Sequence, residues 1–462
     1  MYSYNKTFVH FTCLVSALGG LLFGYDWVVI GGAKPFYELY FGIADSPSAQ
    51  GLAMTIALVG CMIGAMLCGW LADRIGRRRL LVVSAFIFLL SSVATGAFSE
   101  FRSFLVARFF GGIGIGVASG LSPMYIAEVA PTRVRGRLVS LNQMTIVLGI
   151  LGAQITNWLI AEPIPAGSTA AAIASSWNGQ MAWRWMFWAA AVPSVLFLVL
   201  AFFIPESPRW LALRGRDGEA RTILARIGGE EYAGSELEAV KSANAADAAQ
   251  GGLGMLFSRP FRRVLLLGVV IAVFQQWCGT NVIFNYAQEI FQSAGYEIGD
   301  VLFNIVVTGV ANVVFTVVAI FTVDRLGRRA LMLLGAGGLC GIYLILGVCY
   351  YFQVTGFFMI VLVVLAIACY AMTLGPCTWV LISELFPNRV RAVAVATCTF
   401  ALWVGSSTLT YTFPLLNSAL GSYGTFWIYS AVCLSGLLFF AFRLPETKGK
   451  SLEELEKQMV DK

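Results

Sequence analysis

A chain of 462 residues that is 58% hydrophobic and only 12% charged, with a mean hydropathy of +0.78, excludes an ordinary soluble enzyme and a disordered scaffold, since soluble domains carry about 25% charged residues. At about 20 apolar residues per membrane helix, the hydrophobic share furnishes about a dozen spans. The net charge of +6 gathers on no basic face suited to nucleic acid, the ten cysteines lie in apolar stretches without metal or disulfide spacing, and the single histidine, His10, excludes a histidine-based metal centre.

The hydrophobic runs predict spans near 9–33, 49–71, 79–98, 102–126, 138–161 and 183–204, then 262–291, 299–323, 330–352, 356–382, 392–417 and 423–443. The first run is too long and too interrupted for a cleaved signal peptide and reads as a span. The expected fold is therefore all-α and polytopic, with a six-helix half at 1–204, a cytoplasmic helical linker at 205–260, a second six-helix half at 261–444 and a cytoplasmic tail at 445–462. In that tail, 451–457 reads as a short amphipathic helix. With both termini in the cytoplasm, Lys34, Arg102 and Arg184 fall outside and Arg108 within a span, leaving 27 of the 31 basic residues on the cytoplasmic side, a strong positive-inside pattern.

A repeat joins the two halves. Asp73-Arg74-Ile75-Gly76-Arg77-Arg78 recurs as Asp324-Arg325-Leu326-Gly327-Arg328-Arg329 at an offset of 251. Glu128 with Arg133 and Arg135 recurs as Glu384 with Arg389 and Arg391 at 256, and Pro205-Glu206-Ser207-Pro208-Arg209 has an echo in Pro445-Glu446-Thr447-Lys448-Gly449 at 240. Parallel repeats of this kind normally hold a substrate site at the membrane midplane. The recurring carboxylates and arginines fit a latch on the cytoplasmic face; the alternative is that the arginines only enforce topology.

Charges inside spans are costly and mark function by default. Asp26, about 25 Å along the first span, and Arg108, about 9 Å into a fourth span running the other way, fall at similar depth and can pair. Protonation of the Asp would free the Arg, which is what a proton-coupled carrier needs; a permanent structural salt bridge is the other reading. Gln275, Gln276, Asn281 and Asn285 on the seventh span, with Gln143, Asn312 and Trp379, offer uncharged donors and acceptors suited to a polyhydroxylated ligand; for a lone Asn, helix-to-helix bridging is the competing role. Gly112-x-Gly114-x-Gly116 lies within an apolar run with no strand before it and reads as helix packing, not a phosphate loop. No nucleophile–base pair or metal cluster points to an enzyme.

Phe23-Gly24-Tyr25-Asp26, the two Arg-rich loops, Arg108 ahead of Gly111-Gly112-Ile113-Gly114, Pro205-Glu206-Ser207-Pro208-Arg209, Gln275-Gln276 followed by Gly279 and Asn281, Gly375-Pro376 before Trp379, and Pro445-Glu446-Thr447-Lys448-Gly449 together resemble the sugar porter family of the major facilitator superfamily, most of all its bacterial proton-coupled pentose and hexose symporters. The resemblance implies a hexose or pentose symporter of the D-glucose or D-xylose type working by alternating access as a monomer in the bacterial inner membrane, with no cofactor beyond the coupling proton. It implies proton coupling by Asp26 and Arg108, and sugar contacts from Phe23, Gln143, Gln275, Gln276, Asn281, Asn312, Trp379 and Trp403. Asn285 stands where relatives carry the first of two tyrosines, Leu402 where an amide often contacts sugar, and Ser406 where Asn is common. The repeated motifs place Asp73, Arg77, Glu128, Arg133, Asp324, Arg328, Glu384 and Arg389 in the cytoplasmic gate, and the resemblance adds Glu206 and Arg209 to it. A facilitative uniporter, with Asp26–Arg108 purely structural, is the rival within the family.

Overall fold

A computed structural model describes residues 4–131, 133–165, 167–247, 257–296, 298–386 and 390–446. Among them the chain is helical, with no strand. Lipid cannot satisfy backbone N–H and C=O groups, and an apolar chain of this composition meets that demand by pairing them within helices.

The first six-span run consists of α1 (Lys6–Phe41), α2 (Pro47–Ile75), α3 (Arg77–Ala97), α4 (Phe101–Val129), α5 (Arg135–Ile160), a short α6 (Ala170–Ser175), and a π turn at Asn178–Ala182 leading into α7 (Trp183–Ala189) and α8 (Ala191–Ala201). Three polar helices follow, α9 (Pro208–Leu213), α10 (Asp217–Gly228) and α11 (Glu230–Asp247), packed around Trp210, Leu211 and Ala220. The remainder is α12 (Arg259–Trp277), α13 (Thr280–Asn285), α14 (Ala287–Ser293), α15 (Ile298–Leu326), α16 (Arg328–Tyr351), α17 (Phe357–Met372), α18 (Leu374–Leu385) and α19 (Arg391–Arg443).

Eleven stretches are long and apolar enough to cross a membrane. The last, Val393–Arg443, has 51 residues, about 75 Å of helix and more than twice the hydrocarbon thickness. Gly421, at φ 67 and ψ 174, breaks it into two, which makes twelve spans among the described residues.

Three boundaries differ from the hydropathy reading. The seventh span is not one helix: Gly279 at φ 87 and Tyr286 at φ −124 divide it into α12, α13 and α14. The tenth divides at Thr373 into α17 and α18. The first runs eight residues beyond 33, through Pro35, so Lys34 is a helical residue only 2% exposed, not a loop charge facing water.

The chain forms two compact units: Met1–Trp27, Gly60–Ala153 and Phe187–Gln250 in one; Val28–Val59, Gln154–Met186 and Gly251–Lys462 in the other. In the first, helices approach closely at glycines. A Cβ on Gly116 of α4 would fall on the Cys61 carbonyl of α2, and one on Gly24 of α1 on the Ile146 carbonyl of α5. Such contact lets backbones pack where lipid gives little driving force for association. The residues 451–457 of the expected tail helix lie outside the described residues.

Candidate functional site

In the first unit Arg108 Nη1 donates to Asp26 Oδ1. Asp26 is 7% exposed and Arg108 4%. The guanidinium also lies over the Phe187 ring, 5.4 Å from its centroid, while Arg108 Nε is buried without an acceptor. The two-site grip on α1 and α7 leaves the arginine charge offset by one carboxylate and one ring face. Phe23, three residues before Asp26, meets Trp27 edge-on at 5.4 Å. Gln143, on α5 in the same unit, is exposed.

The Arg-rich loop of this unit is tied by specific contacts. Arg77 donates from Nε to Glu128 Oε2 at 3.0 Å, from Nη2 to Glu128 Oε1 at 3.1 Å, and pairs through Nη1 with Asp73 at 2.9 Å. Glu206 Oε1 accepts from the backbone N–H groups of Arg77 and Arg78 at 2.8 and 2.9 Å, so its carboxylate caps the first turn of α3. An anion there satisfies orphan donors and meets the positive end of the helix dipole. Gly76, at φ 98, turns the chain so that both N–H groups face Glu206, and a Cβ there would strike that carboxylate. Ser207 Oγ donates to Glu128 at 2.5 Å and accepts from Trp210 N–H at 3.2 Å, carrying the cluster into α9. Arg209 on α9 is half-buried and Arg133 is exposed.

The second unit repeats this construction. Glu446 accepts from the N–H groups of Arg328 at 3.0 Å and Arg329 at 3.2 Å, capping α16, and Arg328 Nη2 donates to Glu384 Oε1 at 3.2 Å. Gly327, at φ 88, is the counterpart of Gly76. Arg78 and Arg329 complete the parallel, each donating from Nη2 to a helix-end carbonyl, Phe202 at 2.6 Å and Ala441 at 2.7 Å. Glu446 was legible in the Pro445-Glu446 echo of Pro205-Glu206 but was not among the expected gate residues. The side chain of Asp324 and the whole of Arg389 lie outside what is described.

Amides gather in the second unit, where α12 ends and α13 begins. Asn281 Nδ2 donates to Gln276 Oε1, Gln276 Nε2 to Gln275 Oε1 at 2.5 Å, and Gln275 Nε2 to the Tyr370 hydroxyl on α17 at 2.5 Å. The break at Gly279 makes this possible: in an uninterrupted helix Asn281 would be five residues, and about 140° in rotation, past Gln276. Asn285, Asn312 and Trp403 are each 5% exposed or less, whereas Trp379 is 41% exposed. Leu402 is buried, and the buried Ser406 hydroxyl has no partner. A chain of relayed amides beside helix breaks is suited to exchange its internal hydrogen bonds for those of a neutral hydroxylated ligand.

Comparison with known proteins agrees with this chemistry. A family model described as "Sugar (and other) transporter" matches residues 12–459. The arabinose-proton symporter of Bacillus subtilis is 36% identical over 459 residues, 99% of this chain and 96% of the relative. The D-xylose-proton symporter of Escherichia coli is 37% identical, over 98% of this chain and 96% of the relative. Among solved structures, the xylose transporter of E. coli in a partially occluded inward-open conformation superposes with a TM-score of 0.84 at 35% identity, covering 96% of this chain and 100% of that one.

Proposed function

The chain belongs to the sugar transporter family and is an integral membrane protein of the major facilitator fold, and from that premise we propose that it carries a monosaccharide, pentose or hexose, into the cell together with a proton by alternating access. It works as a monomer in the bacterial inner membrane with both termini in the cytoplasm, its two halves being 1–204 and 261–444. Asp26 and Arg108 couple the proton; Gln275, Gln276, Asn281, Asn285 and Asn312, with Phe23, Gln143, Trp379 and Trp403, contact the sugar.

The buried Asp26–Arg108 pair is the observation that carries this reading. A proton on Asp26 removes the charged acceptor of Arg108, and the arginine, already without an acceptor at Nε, then seeks another. A change of partner at that depth is a two-state element that a proton can bias. For a neutral sugar the membrane voltage acts through that proton alone, and 100 mV is worth about 2.3 kcal/mol per charge, roughly 50-fold accumulation.

In proteoliposomes, pentoses and hexoses presented with and without an inward pH gradient test both substrate and coupling. The expected result is accumulation above equilibrium only with the gradient, lost in Asp26→Asn while sugar exchange survives. Undiminished accumulation by Asp26→Asn removes Asp26 from coupling; equilibration without accumulation by the unaltered protein makes it a uniporter.

A further inference from the structure

Three ionisable side chains meet in the second unit where α1 ends against α14. Lys34 Nζ pairs with Glu38 Oε1 one turn on at 2.8 Å and with Glu289 Oε1 of α14. Lys34 and Glu38 are 2% and 7% exposed, and Oε2 of Glu289 is buried with no donor. The Lys34 ammonium also faces the Tyr286 ring at 5.5 Å. Fully ionised, the cluster holds two carboxylates against one ammonium, a net charge of −1 on a lysine and a glutamate that are buried and a second glutamate whose side chain is 22% exposed.

The ion pairs of Glu38 and Glu289 are both with Lys34. Lys34 and Glu289 are the charges that act on Glu38. The Tyr37 hydroxyl donates to Met54 Sδ at 3.4 Å and the Tyr286 hydroxyl to the Thr410 carbonyl at 2.7 Å. Arg184, on the neighbouring α7, lies over Tyr40 and Trp183 at 4.9 and 4.5 Å. Asp45, in the turn after α1, adds a further acid: with Glu289, Gln50 and Asn417 it lines a cavity of about 190 Å³ beside the triad.

We propose that Lys34, Glu38 and Glu289 form a second proton-binding site, separate from Asp26, which takes up one proton when the end of α1 closes on α14 and thereby makes that closure pH-dependent. The physics is linkage. A net charge of −1 on a largely buried triad is costly, and one proton shared by the two carboxylates brings it to zero while Lys34 keeps one ionised partner. When α1 and α14 separate, each group is hydrated and the demand for the proton falls. Closure therefore binds a proton, and acid favours the closed contact. The cavity beside Glu289 gives the proton a polar approach. The reading rests on the protein being a transporter that opens at this end, but not on Asp26 being the coupling group.

The experiment uses full-length protein in nanodiscs with Asp26→Asn, so that the proposed coupling carboxylate is silent, and with the half-buried Cys340 and Cys369 replaced by alanine. Spin labels at Ala44 and Ser293, both exposed, report the separation of the end of α1 from the end of α14. Acidification is expected to raise the closed-to-open ratio by up to tenfold per pH unit across one titration. Adding Glu38→Gln, which fixes the triad at zero net charge, should abolish the dependence and leave the contact closed. Glu289→Gln, which leaves Lys34 paired with Glu38, should also abolish it but favour the open contact. A separation independent of pH in the Asp26→Asn background overturns the proposal. So does a dependence that survives both carboxylate variants.

Discussion

Arg108 shows how a single buried charge can be held from two elements. It donates to Asp26 while its guanidinium plane rests on Phe187. Removing one partner of a buried pair leaves an uncompensated charge, worth about 3–5 kcal/mol, whereas removing both restores neutrality. Arg108→Met is therefore expected to lower the thermal midpoint of the purified protein sharply, and Asp26→Asn/Arg108→Met to recover much of the loss; a double variant no more stable than Arg108→Met would mean that the pair is not what holds α1 to α4. Arg108→Lys keeps the charge but not the planar face, so it should retain stability better than transport. This pair was readable from sequence because both residues are charges in apolar runs and their depths can be counted. Lys34 with Glu289 was not: Lys34 stands where hydropathy places a span's end, and its partner is on a helix that begins some 250 residues later.

At the level of elements, spans are easy to recognise and their interruptions are not. Hydropathy averages over a window, so a break of one residue inside an apolar run leaves no trace, and 262–291 reads as continuous although Gly279 divides it. The glycine itself was the available signal, because an isolated Gly between Cys278 and Thr280 allows the left-handed backbone that other residues resist. Gly279→Ala should cost about 1–2 kcal/mol for its φ of 87 alone, and its Cβ would approach the Tyr429 ring at 3.0 Å. Since the break brings Asn281 back to Gln276, the expected effect is a loss of sugar affinity with the proton-to-sugar ratio unchanged. Gly341→Ala on α16, whose Cβ would meet nothing within 4 Å, serves as the control and should bind sugar as before. Equal sugar affinity in the two variants would detach the amide relay from the ligand.

The largest regularity is the duplication of one construction in two places, Gly76–Glu206–Glu128 in one unit and Gly327–Glu446–Glu384 in the other. The offsets between sequence motifs revealed the duplication, but only coordinates show that the third motif supplies the carboxylate that caps the helix begun by the first. Pro205-Glu206 and Pro445-Glu446 lie more than a hundred residues from the N–H groups they bind, and no local pattern connects them. If these caps are equivalent by descent from one repeat, they should be equivalent in energy. Each carboxylate accepts two backbone N–H bonds at a helix start, and losing a charged acceptor there costs about 1.5–3 kcal/mol. Glu206→Ala and Glu446→Ala should each lower thermal stability by a similar amount, and the double variant by close to their sum, because the two clusters share no residue. Gln at either position keeps an acceptor and should recover all but the dipole contribution, about 0.3–1 kcal/mol. Thermal unfolding of the four single variants and the double Ala variant, followed by intrinsic fluorescence, measures all of these. A cost at one site and none at the other would show that only one of the two repeats still depends on its cap, and that the likeness between them is of form alone.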